Sequence, residues 1–152
     1  MKESAPARII TTASEAHQGA QIPFDDLNAG RSYRGFTRYK QIKLANILFT
    51  RELARQLDEG GAAANWFHPG PVASGFNRNN GFLMSLAMSM LAPLSRSPED
   101  GAETAVRLAT SPVVATASGG YYVDKQWRAP SADAQDIESG RRLWQVSEAQ
   151  CS

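Results

Sequence analysis

The stretch RIITTAS, from Arg8 to Ser14, decides the fold class of this chain. It is short and β-branched and ends in small polar residues, which is typical of a buried strand. From Phe36 to Asp58 apolar residues recur at helical spacing, and the glycines at positions 60 and 61 end that helix. A second apolar run, Ala62 to Phe67, stops before Pro69 because proline cannot donate a ladder hydrogen bond.

The rest of the chain continues this alternation. We predict a short helix from Gly81 to Leu91 and a longer one from Ser97 to about Ala109, with Ser97 as N-cap and Pro98 at the first helical position. Gly120 to Val123 is predicted as the third strand, and the tail from Ser131 to Glu148 as a helix. Strands joined by helical crossovers pair in parallel, so the sequence predicts an α/β fold with a three-stranded parallel sheet and flanking helices.

Composition limits the classes of function. The chain has 152 residues, of which 42% are hydrophobic and 20% charged, as expected for one globular domain. The net charge of +1 gives no reason to expect a nucleic acid or an anionic membrane as partner. The apolar stretch from Phe82 to Leu94 is too short to span a bilayer. The single cysteine, Cys151, and the lack of an apolar leader lead us to expect a reducing, cytoplasmic location.

Tyr39 and Lys43 form the first candidate chemical pair. They stand four residues apart on the predicted long helix, so that their side chains lie on one face. A nearby cation favours the phenolate over the phenol, and such a tyrosine can act as a general acid or base. The spacing alone is also compatible with a tyrosine at the edge of the core and a solvated lysine.

The histidines, the serine and the basic residues of this sequence also allow three other kinds of functional site. A serine hydrolase would use Ser14 with His17 or His68, but the chain has no Gly-x-Ser-x-Gly turn. His17, His68 and Cys151 lack the paired spacing of metal ligands, so no metal is expected. The bases and aromatics between Arg31 and Lys40 are interpreted as a helix lead-in with a solvated basic face rather than as a platform for single-stranded nucleic acid.

Six sequence segments, in order along the chain, indicate how the pair Tyr39 and Lys43 is used. Together they resemble the retinol-dehydrogenase-like branch of the short-chain dehydrogenase/reductase family, from about Lys2 to Ser147. The segments are Arg8 to His17, Tyr39 to Arg55, His68 to Ser74, Ser97 to Thr104, Ser118 to Asp124 and Arg142 to Ser147.

The resemblance implies a set of functional residues. Ser14 matches the family's catalytic serine, which hydrogen-bonds the substrate oxygen, and Tyr39 matches the proton donor and acceptor. Lys43 matches the lysine that binds the nicotinamide ribose and tunes the tyrosine. The implied cofactor is NAD or NADP, bound through Tyr39 and Lys43 and through a proline-glycine loop. In this sequence the loop residues are Pro69, Gly70, Val72 and Ser74, where the family usually has threonine at the position of Ser74.

Three departures from the family pattern surround these residues. The family usually has serine where this chain has Ile42, a second serine at the position of Ala13, and asparagine at the position of Thr11. The three catalytic groups remain, so the departures suggest relaxed constraint or a divergent pocket.

The family's glycine-rich dinucleotide turn has no counterpart here, since the chain contains no Gly-x-Gly. The resemblance begins at the family's fifth strand. We therefore expect residues 1–152 to be a single partial domain: the C-terminal half of a doubly wound, Rossmann-like sheet, without the N-terminal dinucleotide-binding half. The missing neighbour strand would leave the edge of the strand at Arg8 to Ala13 bare.

The function implied by the resemblance is hydride transfer between a nicotinamide cofactor and a small alcohol or carbonyl substrate. We expect little turnover from this chain alone, because the cofactor's pyrophosphate would find no glycine turn or helix N-terminus. The alternative is a non-catalytic truncated remnant, or an interaction module that needs a partner subunit. The resemblance also allows a homo-oligomer formed through the helix from Phe36 to Asp58.

Overall fold

The computed structural model describes residues 6–57, 61–72 and 95–151. Two sequence predictions, the helix from Gly81 to Leu91 and the position of Ser74, lie outside these residues. The elements are the strands β1 (Ala7–Thr12), β2 (Ala62–His68), β3 (Tyr121–Val123) and β4 (Gln126–Arg128), the helices α1 (Gly35–Leu57), α2 (Pro98–Thr110) and α3 (Ile137–Cys151), and short 3-10 turns at Glu15–His17, Pro112–Val114 and Asp133–Gln135.

The strands form one sheet in the order β1-β2-β3-β4. β1 pairs with β2 in parallel, with Ala7 opposite Ala62 and Thr12 opposite Phe67. β2 pairs in parallel with β3, where Trp66 lies opposite Tyr121. The predicted parallel sheet of three strands is therefore confirmed, with strand boundaries that differ by one residue from the sequence expectation.

The fourth strand is an addition to the predicted three. β4 runs antiparallel to β3 and is joined to it by a tight turn at Asp124 and Lys125, whose φ angles are 52° and 63°. Both central residues at positive φ are the signature of a type I′ hairpin turn, whose twist matches that of the strands. The sequence did not predict β4 because all three of its residues are exposed and show no apolar alternation.

Helices cover both faces of the sheet. Neighbouring residues of β2 point to opposite sides, so Trp66 enters the core cluster beneath α1 and α3, whereas Phe67 enters the cluster beneath α2. The α1 side contains the buried Leu44, Ile47 and Leu48. This two-sided cover is the doubly wound arrangement that the sequence predicted.

The helix α1 spans 23 residues and buries one stripe against β1 and β2. Its C-terminus is followed by Gly61 at φ 69°, a left-handed conformation that glycine adopts without strain. On its other side α3 packs against it, and the rings of Phe49 and Trp144 stack with centroids 4.8 Å apart. Ile42 remains 57% exposed, which places it away from both contacts.

The helix α2 begins as predicted. Ser97 is its N-cap, and its Oγ accepts a hydrogen bond from the Asp100 backbone N–H over 3.0 Å. At the other end, Arg8 of β1 donates from Nη1 to the carbonyl oxygens of Leu108 and Ser111, over 2.9 and 2.8 Å. A cation suits a helix C-terminus, and Arg8 thereby joins α2 to the sheet.

No helix within the described part of the chain is long and apolar enough to cross a membrane.

Candidate active site

Ser14 directly follows β1 and serves as the N-cap of the 3-10 turn Glu15–His17. Its Oγ accepts a hydrogen bond from the Ala16 backbone N–H over 3.2 Å. Because that contact uses a lone pair of the oxygen, the hydroxyl hydrogen of Ser14 is left to donate elsewhere. The capped turn therefore presents a hydrogen-bond donor at the carboxyl end of a parallel strand, where ligands bind in open α/β sheets.

His17 fixes the backbone of Ser14, a role that the sequence analysis did not assign. Its Nδ1 lies 2.6 Å from the Ser14 carbonyl oxygen, and its backbone N–H donates to the same oxygen over 3.1 Å. A carbonyl can only accept, so Nδ1 carries the proton and Nε2 is the basic nitrogen. The imidazole is 1% exposed, and its Nε2 has no partner within the described residues. The serine followed three residues later by histidine was the available signal.

Tyr39 and Lys43 occupy the first half of α1. The Lys43 Nζ lies 5.7 Å from the centre of the Tyr39 ring, so the two side chains share one side of the helix, as their spacing predicted. The same Nζ donates to the Thr12 carbonyl oxygen over 3.1 Å. Burial lowers the pKa of the Lys43 ammonium, because the charged form is partly desolvated. Lys43 thus brings a cation to the end of β1, two residues before Ser14.

The three departures from the family pattern have structural explanations. Thr11 donates a hydrogen bond to the Thr50 hydroxyl oxygen over 2.8 Å, because the Thr50 hydrogen goes to the Asn46 carbonyl, and this contact links β1 to α1. Ala13 is 1% exposed and belongs to the core. Ile42 is largely exposed and takes no part in the described contacts of Lys43. Ile42 also lines a concavity of about 260 Å³, and whether these residues indicate a divergent pocket stays a prediction.

The loop after β2 lies at the same edge of the sheet. The Ala13 backbone N–H donates to the Phe67 carbonyl over 2.8 Å, so the residues after Phe67 begin beside Ser14. Gly70 has φ 80°, a conformation that favours glycine, and Val72 forms a parallel bridge with Arg96. Pro69, Gly70 and Val72 therefore lie near the carboxyl ends of β1 and β2, as the resemblance implied.

Two further ionisable groups stand near this edge. Burial lowers the pKa of His68, since desolvation outweighs the nearby carboxylates of Glu15 and Asp124. Burial raises the pKa of Tyr121 to about 12, and the Glu15 carboxylate acts in the same direction. Tyr121 is therefore a phenol at neutral pH and is unsuited to act as a base.

Two concavities among the described residues, of about 270 and 260 Å³, are lined by side chains other than those of Ser14, Tyr39 and Lys43. The described part of the chain contains no group of three histidine, cysteine, aspartate or glutamate side chains that could hold a metal ion. We predict that the Tyr39 hydroxyl points toward Ser14.

We expected the basic side chains between Arg31 and Lys40 to be solvated, and Arg38 is an exception. The guanidinium of Arg38 lies 2.5 Å from the Asp26 carboxylate, and both side chains are largely buried. It also donates to the Asp26 and Ser32 carbonyl oxygens, each over 3.1 Å. Arg38 therefore organises the loop that leads into α1 and is not available to a phosphate backbone.

Curated proteins similar to this chain are retinol dehydrogenases. The chain is 39% identical to retinol dehydrogenase 14 and 40% identical to retinol dehydrogenase 13, both of Homo sapiens, each over 153 residues. It is 38% identical to retinol dehydrogenase 12 of Mus musculus. These alignments cover 97% of this chain but only 45 to 46% of each relative, so the chain spans about half the length of the curated relatives it matches. No protein-family model matches the chain.

Solved structures show the same fold over the same extent. An uncharacterized protein from Mycobacterium paratuberculosis superposes with a TM-score of 0.67 at 27% identity, covering 94% of this chain and 49% of the other. A structure from Beutenbergia cavernae, described as an NAD(P)-dependent gluconate 5-dehydrogenase with bound NADP, gives a TM-score of 0.51 at 23% identity and supports the fold alone. In sequence and fold, this chain therefore resembles the C-terminal half of a short-chain dehydrogenase/reductase of the retinol-dehydrogenase-like branch.

Proposed function

We propose that this chain supplies the catalytic half of an NAD(P)-dependent oxidoreductase that interconverts an alcohol and a carbonyl compound. The observation that carries the proposal is the position of the Lys43 ammonium, 3.1 Å from the Thr12 carbonyl at the end of β1. This contact joins Lys43, which matches the family's lysine, to the strand end that precedes Ser14. The retinol dehydrogenases to which the chain is similar make an alcohol or aldehyde with an apolar chain the substrate class to test first.

Each of the three residues has a distinct role in the proposal. The Ser14 hydroxyl, whose oxygen already accepts from Ala16, donates its hydrogen to the substrate oxygen. Tyr39 gives a proton to that oxygen during carbonyl reduction and removes it during alcohol oxidation. The Lys43 cation favours the phenolate form of Tyr39, because opposite charges within a few ångströms stabilise each other.

The residues at this edge also suit a nicotinamide nucleotide. An ammonium has three hydrogens, and the Thr12 carbonyl takes one, so two remain for the hydroxyls of a ribose. The loop after β2, which turns at Gly70 with a φ of 80°, offers backbone groups to the nicotinamide at the same edge of the sheet. When bound, the nicotinamide supplies or accepts the hydride. Its diphosphate end needs contacts that the described residues lack, which is why we expect the chain to act together with a dinucleotide-binding half.

The experiment is a reconstitution. The purified chain is titrated with NADH and NADPH by fluorescence and assayed with a panel of aldehydes and ketones, alone and with the N-terminal half of a retinol dehydrogenase added as a second polypeptide. We expect weak cofactor binding and negligible turnover alone, and a gain of both on reconstitution, because a cofactor held at one end only is not oriented for reaction.

Point variants then test the roles. Tyr39→Phe keeps the ring but removes the proton, and it should lower kcat of the reconstituted enzyme by about 100- to 10,000-fold. Tyr33→Phe is the matched control, because Tyr33 is 77% exposed and lies just before the same helix. Ser14→Ala should lower kcat by roughly 100-fold, the usual loss for one donor to a developing oxyanion.

The outcomes separate this proposal from its competitor. Micromolar cofactor binding by the monodisperse chain alone would overturn the requirement for a second half. Stable pairing with the second half but no turnover would favour the non-catalytic interaction module, whereas equal activity of the Tyr39 and Tyr33 variants would refute the role of Tyr39.

A further inference from the structure

Arg96 links three chain segments at the carboxyl edge of the sheet. Its backbone N–H donates to the Pro71 carbonyl oxygen over 2.7 Å, and it forms a parallel bridge with Val72. Its guanidinium makes an ion pair with Asp124, at the turn between β3 and β4. Arg96 immediately precedes Ser97, the N-cap of α2, so one residue joins the loop after β2, the β3–β4 turn and the start of a helix.

Close contacts lie on either side of this bridge. A Cβ placed on Gly70 would lie 3.0 Å from Nε of Arg96, so the guanidinium rests directly against the glycine backbone. A Cβ placed on Gly101 of α2 would lie 2.5 Å from Cγ2 of Val72, closer than real side chains approach. Glycines at both positions let Arg96 and Val72 pack against bare backbone. The loop is therefore held on one side by Arg96 and on the other by α2.

The ion pair is charged at neutral pH. The Arg96 guanidinium lowers the pKa of the Asp124 carboxyl, chiefly through their hydrogen bond. Arg96 is more suitable than lysine for this position, because its planar fork can lie flat on Gly70 while its edge donates to the carboxylate.

We propose that Arg96 is a positioning residue, which holds the Pro69–Val72 loop at the distance that the nicotinamide end of the cofactor requires. The link to the cofactor rests on the proposed function; the link to the loop does not. Arg96 has no described contact with Ser14, Tyr39 or Lys43, so it acts through the loop and not on the reacting atoms.

The first test is made on the chain alone. Hydrogen–deuterium exchange of the residue 96 amide, which donates to the Pro71 carbonyl oxygen, is compared in the unmodified chain, in Arg96→Met and in Arg107→Met. Arg107 is an exposed arginine of α2 and is the matched control. We expect faster exchange of this amide, roughly tenfold, in Arg96→Met only, and an intermediate rate in Arg96→Lys, which keeps the charge without the fork. Unchanged exchange in Arg96→Met would overturn the proposal.

The second test is made on the reconstituted enzyme and separates positioning from simple stability. Arg96→Met should raise the KM for the cofactor by roughly tenfold and leave kcat with a smaller loss, in contrast to the kcat defect of Tyr39→Phe. Asp124→Asn, which removes the partner's charge, should shift KM in the same direction by less. A lowered melting temperature with an unchanged KM would mean that Arg96 serves stability alone, which contradicts the proposal.

The two proposals fail in different ways. If the unmodified chain gains no activity on reconstitution but Arg96→Met still frees the residue 96 amide from Pro71, the proposed function fails and the hold of Arg96 on the loop stands. If reconstitution succeeds and Arg96→Met matches Arg107→Met in both exchange and KM, the proposed function stands and the role of Arg96 is refuted.

Discussion

The two edges of the sheet are built differently. β4 forms one edge with three residues, all exposed, after a tight turn that twists it away. β1 forms the other edge with six residues that include Ile9 and Ile10, both only partly exposed, and none of the described residues forms a strand on its outer side. Short, polar, twisted strands are how proteins end a sheet, whereas long apolar edges invite pairing. β4 has the properties of a terminal strand and β1 those of an interior strand.

The hydrogen bonds of β1 identify which backbone groups face outward. Ala13 donates its N–H to Phe67 of β2, and the direction of N–H groups alternates along a strand. The N–H of Thr11 therefore points toward β2, and the N–H groups of Ile10 and Thr12 point away from it. These outward groups are where an additional strand would pair, which agrees with relatives about twice the length of this chain.

Two proline substitutions at neighbouring positions give the largest expected contrast. Thr11→Pro removes a donor that faces β2 and should destabilise the chain by about 3 kcal/mol. Thr12→Pro removes a donor that faces outward, where an edge strand tolerates proline, and should cost less than about 1 kcal/mol. Urea denaturation followed by circular dichroism measures both. Thr11→Val, which keeps the N–H and removes only the contact with Thr50, is the control for the lost hydroxyl.

The same pair tests the proposed partner strand. Thr12→Pro should weaken binding of the added N-terminal half by about tenfold, the cost of one unmade hydrogen bond. Equal destabilisation by the two prolines, or unchanged binding of the second half by Thr12→Pro, would show that the outer side of β1 is not a pairing edge.

A smaller effect is expected from His68, at the end of the central strand β2. Its pKa is lowered in the folded chain, where the Glu15 and Asp124 carboxylates and the Arg96 and His17 side chains face it. As the pH falls through about 6.5, the unfolded chain takes up a proton before the folded chain does, so stability declines. His68→Gln should therefore lose less stability between pH 7.5 and 5.5 than the unmodified chain in urea titrations. Parallel losses would refute this assignment.

The hairpin that ends the sheet carries a modest strain. Lys125 adopts φ 63°, which costs a residue with a side chain about 1 kcal/mol. Lys125→Gly should stabilise the chain by roughly 0.5 kcal/mol, after the entropy of glycine and the exposed ion pair with Glu103 are subtracted. Lys125→Ala loses the ion pair but keeps the strain, so its melting temperature should not rise. A rise in both variants would point to the ion pair as unfavourable.

The smallest effect is expected at β4 itself. Trp127 is 62% exposed and lies opposite Tyr122. Trp127→Lys should lower the free energy of unfolding by about 0.3 kcal/mol, which is the contribution of a weak cross-strand pair. The loss is small because β4 lies at the edge of the sheet and no further strand packs on it among the described residues. A loss above about 2 kcal/mol would show that this edge, too, is normally covered.

The elements that the sequence predicted are those in which a local pattern and a buried face agree. β1, α1 and β2 fall within a residue of the predicted bounds, and the Ser97 cap is where the Ser-Pro-acid pattern indicated. The exposed strand β4 carries no such pattern. It exists because a left-handed turn at Asp124 and Lys125 folds the chain back on β3, and lysine is not a residue that favours positive φ.

The residues of the candidate site also fall into two groups, those that the sequence indicates and those that only the folded structure reveals. Ser14, Tyr39, Lys43, Pro69 and Gly70 were recognisable because several segments match a family pattern in order. His17 and Arg96 were not, since each acts by a contact that only the folded chain creates. The burial of His17 depends on how its ring packs against Tyr121, with centroids 6.0 Å apart, and the role of Arg96 on a partner in a different hairpin.

The bond from Arg8 to the end of α2 sets an order of events in time. Its two acceptors, the carbonyls of Leu108 and Ser111, follow it by 100 and 103 positions along the chain. At synthesis rates of about 5 to 20 residues per second, the arginine leaves the ribosome roughly 5 to 20 seconds before its partners. During that interval β1 can settle against β2 and α1, which are made sooner, but the face beneath α2 stays open. Closure of that face is a late step of folding, and a chaperone or a second polypeptide has those seconds in which to engage the nascent sheet.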